Sequence, residues 1–207
     1  MKKSVSLKLI VFSFLLVGAS VAYSAPDIGS GTGDGSIVAG VDNEASGKNS
    51  STFGYLNNAG GKNSSAFGYR NITFGEESSA FGHLNTTNGK NSSAFGYWNT
   101  AKGENSSAFG NQYKVTGEAS GAFGVGKRTG WNSTTHEYNY DYINEGKHSY
   151  MFGNYNKIAA GTQNNFILGN NVSIANGISN SVVLGNGSTV SSSNEVSVGS
   201  KGKERKI

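Results

Sequence analysis

The sequence predicts an all-β protein, a parallel β-solenoid built from coils of fourteen residues. Three observations predict it: the strict recurrence of one glycine, an alternating pattern before that glycine, and a scarcity of large aliphatic residues. The phrase SSAFGYWNTAKGEN at residues 92–105 follows SSAFGHLNTTNGKN at 78–91 and SSAFGYRNITFGEE at 64–77. Self-similarity at a fixed period is the signature of a repeat architecture.

Two series of glycines define the coil. The first recurs every fourteen residues from Gly40 to Gly124, and the second follows seven residues later, from Gly47 to Gly117. A seven-residue unit of alternating character that ends in glycine is typical of a short strand and a turn. The frequent Gly, Asn and Ser disfavour a helix. Two strands per coil, stacked at ~4.8 Å, predict a rod on the order of 50 Å long.

The residue before the first-series glycine is apolar along the whole repeat, even where the spacing loosens. These residues are Ala39, Phe53, Phe67, Phe81, Phe95, Phe109, Phe123, Phe152, Leu168, Leu184 and Val198. One such residue per coil cannot offset an ordering entropy of ~1 to 2 kcal/mol per residue. We therefore expect several chains to pool their apolar edges in a cyclic homo-oligomer, with the phenylalanines buried in the assembly.

Composition excludes several classes of protein. The chain has no cysteine and therefore neither disulfides nor a thiolate metal site. Aromatic residues at fixed intervals argue against disorder. Three of the 17 lysines and arginines precede residue 9, so 14 remain in the rest of the chain against 13 acidic residues. Four of those 14 lie in the last seven residues, and a body without a basic field is not expected to bind nucleic acid.

The first 25 residues have the pattern of a secretory signal peptide. A basic start, MKKSVSLK, precedes the apolar run LIVFSFLLVGASVA, and small residues at 22–25 offer a cleavage site. A single membrane anchor is the alternative, but the run is short for a span. We expect a glycine-rich lead-in at 26–35, the repeat region at 36–200 with an irregular insertion at about 125–148, and the start of a neck at 201–207.

The phrases NSSAFG, NTAKGENSSAFG and NSVVLGNGSTV resemble the head repeats of trimeric autotransporter adhesins, the YadA-like head. The closing SVGSKGKERKI resembles the last head strand entering the basic neck of that family. This resemblance implies a left-handed parallel β-roll, a homotrimer about a threefold axis, and an adhesin on the bacterial surface. The stalk and membrane anchor of the family are absent from the sequence. We therefore expect the chain to be a fragment, with no membrane contact by this segment.

We expect no enzymatic activity, cofactor or metal. The histidines His83, His136 and His148 lack ligand spacing, and the acidic residues near turns indicate solubility rather than acid–base chemistry. The GSGTGDGS lead-in follows no strand of a βαβ unit. Asn-x-Ser/Thr sequons recur, and we interpret their asparagines as turn residues in the left-handed conformation rather than as glycosylation sites. They are Asn49, Asn63, Asn71, Asn85, Asn91, Asn105, Asn132, Asn171 and Asn186.

Two surface features are candidate receptor-binding sites. The first is a pair of columns formed by the two residues after each landmark glycine; its candidates are Tyr69, Arg70, His83, Tyr97 and Trp98. The second is the break in register, whose tyrosine-rich composition is typical of protein-binding loops; its candidates are Trp131, Tyr138, Tyr140 and Tyr142. The columns could instead only stabilise stacking, and the inserted stretch could only pack against the rod.

The leading functional interpretation is an adhesin head that binds a host cell-surface glycoprotein or an extracellular-matrix protein. The family resemblance suggests a CEACAM-type receptor or collagen. Two alternatives remain open: a structural spacer, and a self-association module for cell clumping or biofilm.

Overall fold

The computed structural model describes residues 27–205, so the predicted signal peptide lies outside the described residues. Two sheets run along the molecule, one of twelve strands and one of nine, and the nine coils from β2 to β21 each contribute one strand to each sheet. Residues 27–205 contain no helix that could cross a lipid bilayer. The prediction of an all-β parallel solenoid is confirmed.

The twelve-stranded sheet, here the long-strand sheet, consists of β1 (Asp27–Ser30), β2 (Ile37–Val41), β4 (Ser51–Tyr55), β6 (Ser65–Tyr69), β8 (Ser79–His83), β10 (Ser93–Tyr97), β12 (Ser107–Asn111), β14 (Gly121–Val125), β18 (Tyr150–Phe152), β20 (Phe166–Leu168), β22 (Val182–Leu184) and β23 (Val196–Ser197).

The nine-stranded sheet, here the short-strand sheet, consists of β3 (Glu44–Ala45), β5 (Asn58–Ala59), β7 (Ile72–Thr73), β9 (Thr86–Thr87), β11 (Thr100–Ala101), β13 (Lys114–Val115), β17 (Ile143–Asn144), β19 (Lys157–Ile158) and β21 (Ser173–Ile174). Two further pairs are antiparallel: β15 (Arg128–Asn132) with β16 (Glu137–Tyr140), and β24 (Gly199–Ser200) with β25 (Lys203–Glu204).

Strand register places equivalent residues of successive coils side by side. Ala94 pairs with Ala108 and Phe95 with Phe109, each fourteen residues further along the chain. Strand β1 is different, because it pairs antiparallel with β2 and covers the first coil. The predicted lead-in is thus partly a strand of the long-strand sheet. At the other end, the Arg205 guanidinium donates to Ser188 Oγ and to the Asn186 carbonyl, so residues 199–205 fold back on the last coils.

The interior of the early coils is small and mostly polar. The alanines of the long strands are fully buried, and so is a column of asparagines that contains Asn57, Asn71, Asn85 and Asn99. Asn71 Nδ2 lies 2.8 Å from the Phe67 carbonyl and 2.7 Å from the Gly82 carbonyl, and its Oδ1 accepts from the Asn85 backbone N–H at 3.0 Å. Because a buried amide is costly unless hydrogen-bonded, this column is stable only when successive coils stay in register.

The asparagine column corrects part of the sequence interpretation. Asn49, Asn63, Asn91, Asn105 and Asn171 have the predicted left-handed backbone, with φ between 54° and 56°. Asn71 and Asn85 are instead buried members of the column, and Asn132 and Asn186 do not have positive φ. The difference is positional: the left-handed asparagines lie at the two corners of the coil, whereas Asn71 and Asn85 lie one residue past a corner, in the interior.

The phenylalanines lie on the outer side of the long-strand sheet. They alternate with buried alanines, so they point away from the coil interior, and within one chain they are only half-buried, with Phe53 36% exposed. Phe67 and Phe81 stack with centroids 4.8 Å apart and rings 6° from parallel. We call the continuous stack the Phe ladder; it contains Phe53, Phe67, Phe81, Phe95, Phe109, Phe123 and Phe152.

The later coils have a larger apolar core. Met151, Ile158, Ile167, Ile174 and Val183 are fully buried and form one cluster with the alanines of the preceding coils. The coil that begins at Tyr150 and the next one are each two residues longer than the repeat, since Tyr150 pairs with Phe166 and Phe166 with Val182. The extra residues accommodate the wider side chains.

Tyr113 takes the place of an asparagine in the column just before the break in register. In the coil of β14 the position equivalent to Tyr113 is Lys127, where the chain leaves the roll, so this coil contributes no column asparagine. The buried Tyr113 hydroxyl donates to the Gly153 carbonyl at 2.9 Å and accepts from the Asn156 N–H at 3.1 Å. Burial raises the pKa of Tyr113 to about 12, so the phenol stays neutral.

The Tyr113→Phe substitution tests this bridge. It keeps the ring but leaves the Gly153 carbonyl and the Asn156 N–H without their partner, so we expect a loss of about 1 to 3 kcal/mol in the free energy of unfolding. Tyr150→Phe, at a side chain that is 40% exposed, is the matched control and should change stability little. Chemical denaturation of both variants measures the difference, and equal stabilities would show that the hydroxyl does not bridge the column.

Candidate functional site

A hairpin projects from the roll at the break in register. Strands β15 and β16 pair between Asn132 and Glu137, and the turn is fixed by Asn132 Oδ1, which accepts from the N–H groups of Thr134 and Thr135. At its base the Asp141 N–H donates to the Lys127 carbonyl at 3.0 Å. The predicted insertion at about 125–148 is narrower in the structure, because β17 rejoins the short-strand sheet beside β13.

The hairpin packs against the coils through polar contacts. The Tyr140 hydroxyl lies 3.1 Å from Thr100 Oγ1 and 3.3 Å from the Trp98 carbonyl oxygen, and burial raises the pKa of Tyr140. Glu137 bridges the ammonium groups of Lys102 and Lys114. Hydrogen bonds hold the pKa of Glu137 below its usual 4.5; the bond from Lys102 has the larger effect and the bond from Lys114 the next. Together these contacts fix the hairpin beside the short-strand sheet.

Arg128 fills the space between two aromatic rings. Its guanidinium carbon lies 2.9 Å from the Trp98 ring centroid and 3.8 Å from that of Tyr138, the geometry of a cation–π contact. Arg128 therefore joins the hairpin to Trp98 and already supplies a cation to this aromatic pair.

Trp98 belongs to a column of residues with an unusual backbone. Arg70, Leu84 and Trp98 have φ of 53°, 59° and 58°, the left-handed region that bulky residues rarely adopt. At the other corner of the coil the equivalent turn residues are mainly asparagine, which tolerates this conformation. Backbone strain of this kind costs on the order of 1 kcal/mol or more per residue. Leu56 and Gln112 have the same conformation at equivalent positions, so it is a property of the repeated corner.

The hairpin and this corner enclose an open cavity of about 340 Å³, which we call the corner pocket. Its floor includes Ile72, Leu84 and Thr86 from successive coils. Its walls are aromatic: Trp98, Trp131, Tyr138 and Tyr140. Its cationic groups are Arg70, Lys102 and Lys114, and its single carboxylate is Glu137. The volume is at the lower end of the usual range of small-ligand sites, and the lining combines aromatic rings with polar and charged side chains.

The structure brings together five of the predicted receptor-binding residues. Arg70 and Trp98 from the coils meet Trp131, Tyr138 and Tyr140 from the hairpin in the corner pocket. The sequence analysis treats the columns and the insertion as separate candidates, and their junction is a finding of the structure. The Trp98 ring also packs against the hairpin, with its centroid 6.0 Å from that of Tyr138.

The other four predicted residues lie outside the corner pocket. Tyr69, His83 and Tyr97 form an aromatic column along the edge of the long-strand sheet. The Tyr69 and His83 centroids are 4.6 Å apart with tilted rings, and the His83 and Tyr97 centroids are 5.1 Å apart with rings edge to face. Tyr142 lies with its ring tilted on Tyr155 at 5.3 Å and packs against the buried core. Its contacts are those of a packing residue.

Sequence reasoning missed Leu84, Arg128 and Glu137, together with Lys102 and Lys114. Leu84 is in the same column as Arg70 and Trp98, so its position was a signal. The sequence also signals the two lysines, because Lys102 is equivalent to Asn88 and Lys114 to Thr100 in the preceding coil. The pairing of Glu137 with both lysines depends on how the hairpin folds over, which no periodic pattern encodes.

Comparison with known proteins identifies the repeat. Residues 32–57, 59–85 and 88–112 match the family described as YadA head domain repeat (2 copies). No curated protein matches the chain. The matched residues are the coils that carry the two glycine series, the asparagine column and the start of the Phe ladder. The coils of residues 32–112 are therefore similar to the YadA head domain repeat.

Proposed function

We propose that this head is a homotrimeric adhesin module whose corner pocket binds a host protein at the cell surface or in the extracellular matrix. A CEACAM-type receptor and collagen are the leading classes of partner. The observation that carries the binding proposal is the corner pocket, where two elements distant in sequence place four aromatic rings around one cavity. Tryptophan, tyrosine and arginine contribute most to binding energy at protein interfaces.

The Phe ladder supports the trimer. Seven stacked rings form a continuous half-exposed apolar stripe along the long-strand sheet. A stripe of this length is unusual on a monomer and is typical of a surface that binds another protein. Burial of these rings between chains would add apolar contact that the alanine and asparagine interior of each coil lacks.

Three copies of the corner pocket in one head would bind clustered receptors more tightly than a single copy. A second binding event on the same head is intramolecular, and its effective concentration depends on the spacing of the receptors. The signal peptide and the bacterial surface location belong to the same proposal, since an adhesin must leave the cell to reach its partner.

Substitutions in the Phe ladder test the trimer. The double change Phe81→Ser with Phe95→Ser removes stacked rings but leaves Ala80 and Ala94 in the interior, so the coils should keep their β-structure while the trimer dissociates. Phe74→Ser, at a ring that is 57% exposed and outside the ladder, is the control and should stay trimeric. Light scattering measures the mass; a wild-type head of residues 26–207 at the mass of one chain would contradict the proposal.

Removal of the hairpin tests where the partner binds. Residues 128–140 are replaced by a short Gly-Ser linker, which the adjacent Lys127 and Asp141 allow. The variant should remain a folded trimer and lose binding to host proteins on an array of receptors and matrix proteins. The single change His83→Ala alters the aromatic column but keeps Tyr69, whose ring lies 5.4 Å from the Arg70 guanidinium, and should bind normally.

If the wild-type head bound no protein on the array, host binding would be contradicted and a role as a structural spacer would be favoured. Clumping of beads coated with the head, without host binding, would favour self-association. Normal binding by the hairpin deletion would exclude the corner pocket as the site.

A further inference from the structure

We infer that the corner pocket accepts a peptide segment that presents one large apolar side chain next to a carboxylate. This inference rests on the proposed function and names the chemistry of the partner. It follows from the shape of the cavity, the imbalance of charge around it, and the position of Arg128.

The walls and floor favour an apolar group. Trp131 is 53% exposed and Tyr138 is 38% exposed, so both rings are available to a ligand. Their centroids are 4.8 Å apart at an interplanar angle of 68°, and Leu84 lines the same cavity. A cavity of about 340 Å³ with aromatic walls accommodates one aromatic or large aliphatic side chain together with its backbone.

The charges around the cavity favour an anion beside that apolar group. Three cationic side chains, Arg70, Lys102 and Lys114, line the pocket with one carboxylate. That carboxylate, Glu137, already accepts from both lysines. Arg70 forms no salt bridge with any residue in the range 28–205. Its guanidinium can therefore donate two hydrogen bonds to a ligand carboxylate in bidentate geometry.

Arg128 argues against a cationic ligand. Aromatic walls often bind ammonium groups, but the face shared by Trp98 and Tyr138 is filled by the chain's own guanidinium. A second cation would meet an excess of positive charge.

The two tryptophans of the chain allow a selective experiment. The sequence has only Trp98 and Trp131, and both line the corner pocket. Fluorine NMR of 5-fluorotryptophan-labelled head therefore gives two signals from this site alone. The probe is N-acetyl-L-phenylalanine at neutral pH. Its comparators are the neutral N-acetyl-L-phenylalanine amide, phenethylamine, acetate and 3′-sialyllactose.

We expect N-acetyl-L-phenylalanine to shift both signals with saturation in the millimolar range. The neutral amide should bind about threefold to tenfold more weakly, because it lacks the charge-assisted contact. Trp131→Ala should abolish binding of both probes, read on the Trp98 signal. Arg70→Gln should remove most of the preference for the carboxylate, whereas Lys157→Gln, an exposed lysine on β19, should leave that preference unchanged.

Several results would overturn the inference. These are an absence of shifts, equal shifts by acetate alone, tighter binding of phenethylamine, or saturation by 3′-sialyllactose at lower concentration, which would assign the pocket to an acidic glycan. Failure of the inference is separable from failure of the proposed function. Host binding that survives in Trp131→Ala and Arg70→Gln would refute the pocket chemistry alone, and probe binding by a head that captures no host protein would refute only the adhesin proposal.

Discussion

The close approach of stacked coils at the two glycine columns is the constraint on which the rest of the structure depends. At Gly75 an added Cβ would lie 2.0 Å from the Gly89 carbonyl oxygen, and at Gly82 it would lie 2.2 Å from that of Gly96. The first-series glycines also have φ near +115°, whereas the second-series glycines are required only for the lack of a side chain. Both columns set the contact between coils, and only the first also requires a positive φ.

Thin coils determine what can lie inside them. With little room between the sheets, the early coils bury alanine, serine, threonine and asparagine, and the larger phenylalanines point outward. The asparagine column then aligns each coil with the next through buried amide contacts. The hairpin interrupts the asparagine column for one coil. Tyr113 spans this interruption through its hydrogen bonds to Gly153 and Asn156. The hairpin, supported in this way, forms the corner pocket against otherwise repetitive coils.

The sequence was sufficient for the periodic part of the structure. The coil length, the parallel register and the glycine corners follow from spacing, because equivalent residues must stack. The direction of the phenylalanines within one chain did not follow, since alternation defines two faces but not which one is inside. The burial of Asn71 and Asn85 was not predicted for a related reason. A sequon has the same three letters at a corner and one residue past it, where the side chain lies in the interior. The corner pocket could be predicted only as two separate parts, because the path of the hairpin depends on Arg128, Glu137 and Tyr140 contacts with distant residues.

The most direct test of the claim that coil contact at the glycine columns governs the fold compares the free energies of unfolding of Gly89→Ala and Gly130→Ala. Gly89 is in the second glycine column, and an added Cβ would lie 2.1 Å from the Gly103 carbonyl oxygen; Gly130 is in the hairpin and has open space around it. If coil contact governs the fold, Gly89→Ala should lose at least about 3 kcal/mol or fail to fold. Gly130→Ala should stay within about 1 kcal/mol of wild type. A stable Gly89→Ala protein, equal to Gly130→Ala, would contradict the account.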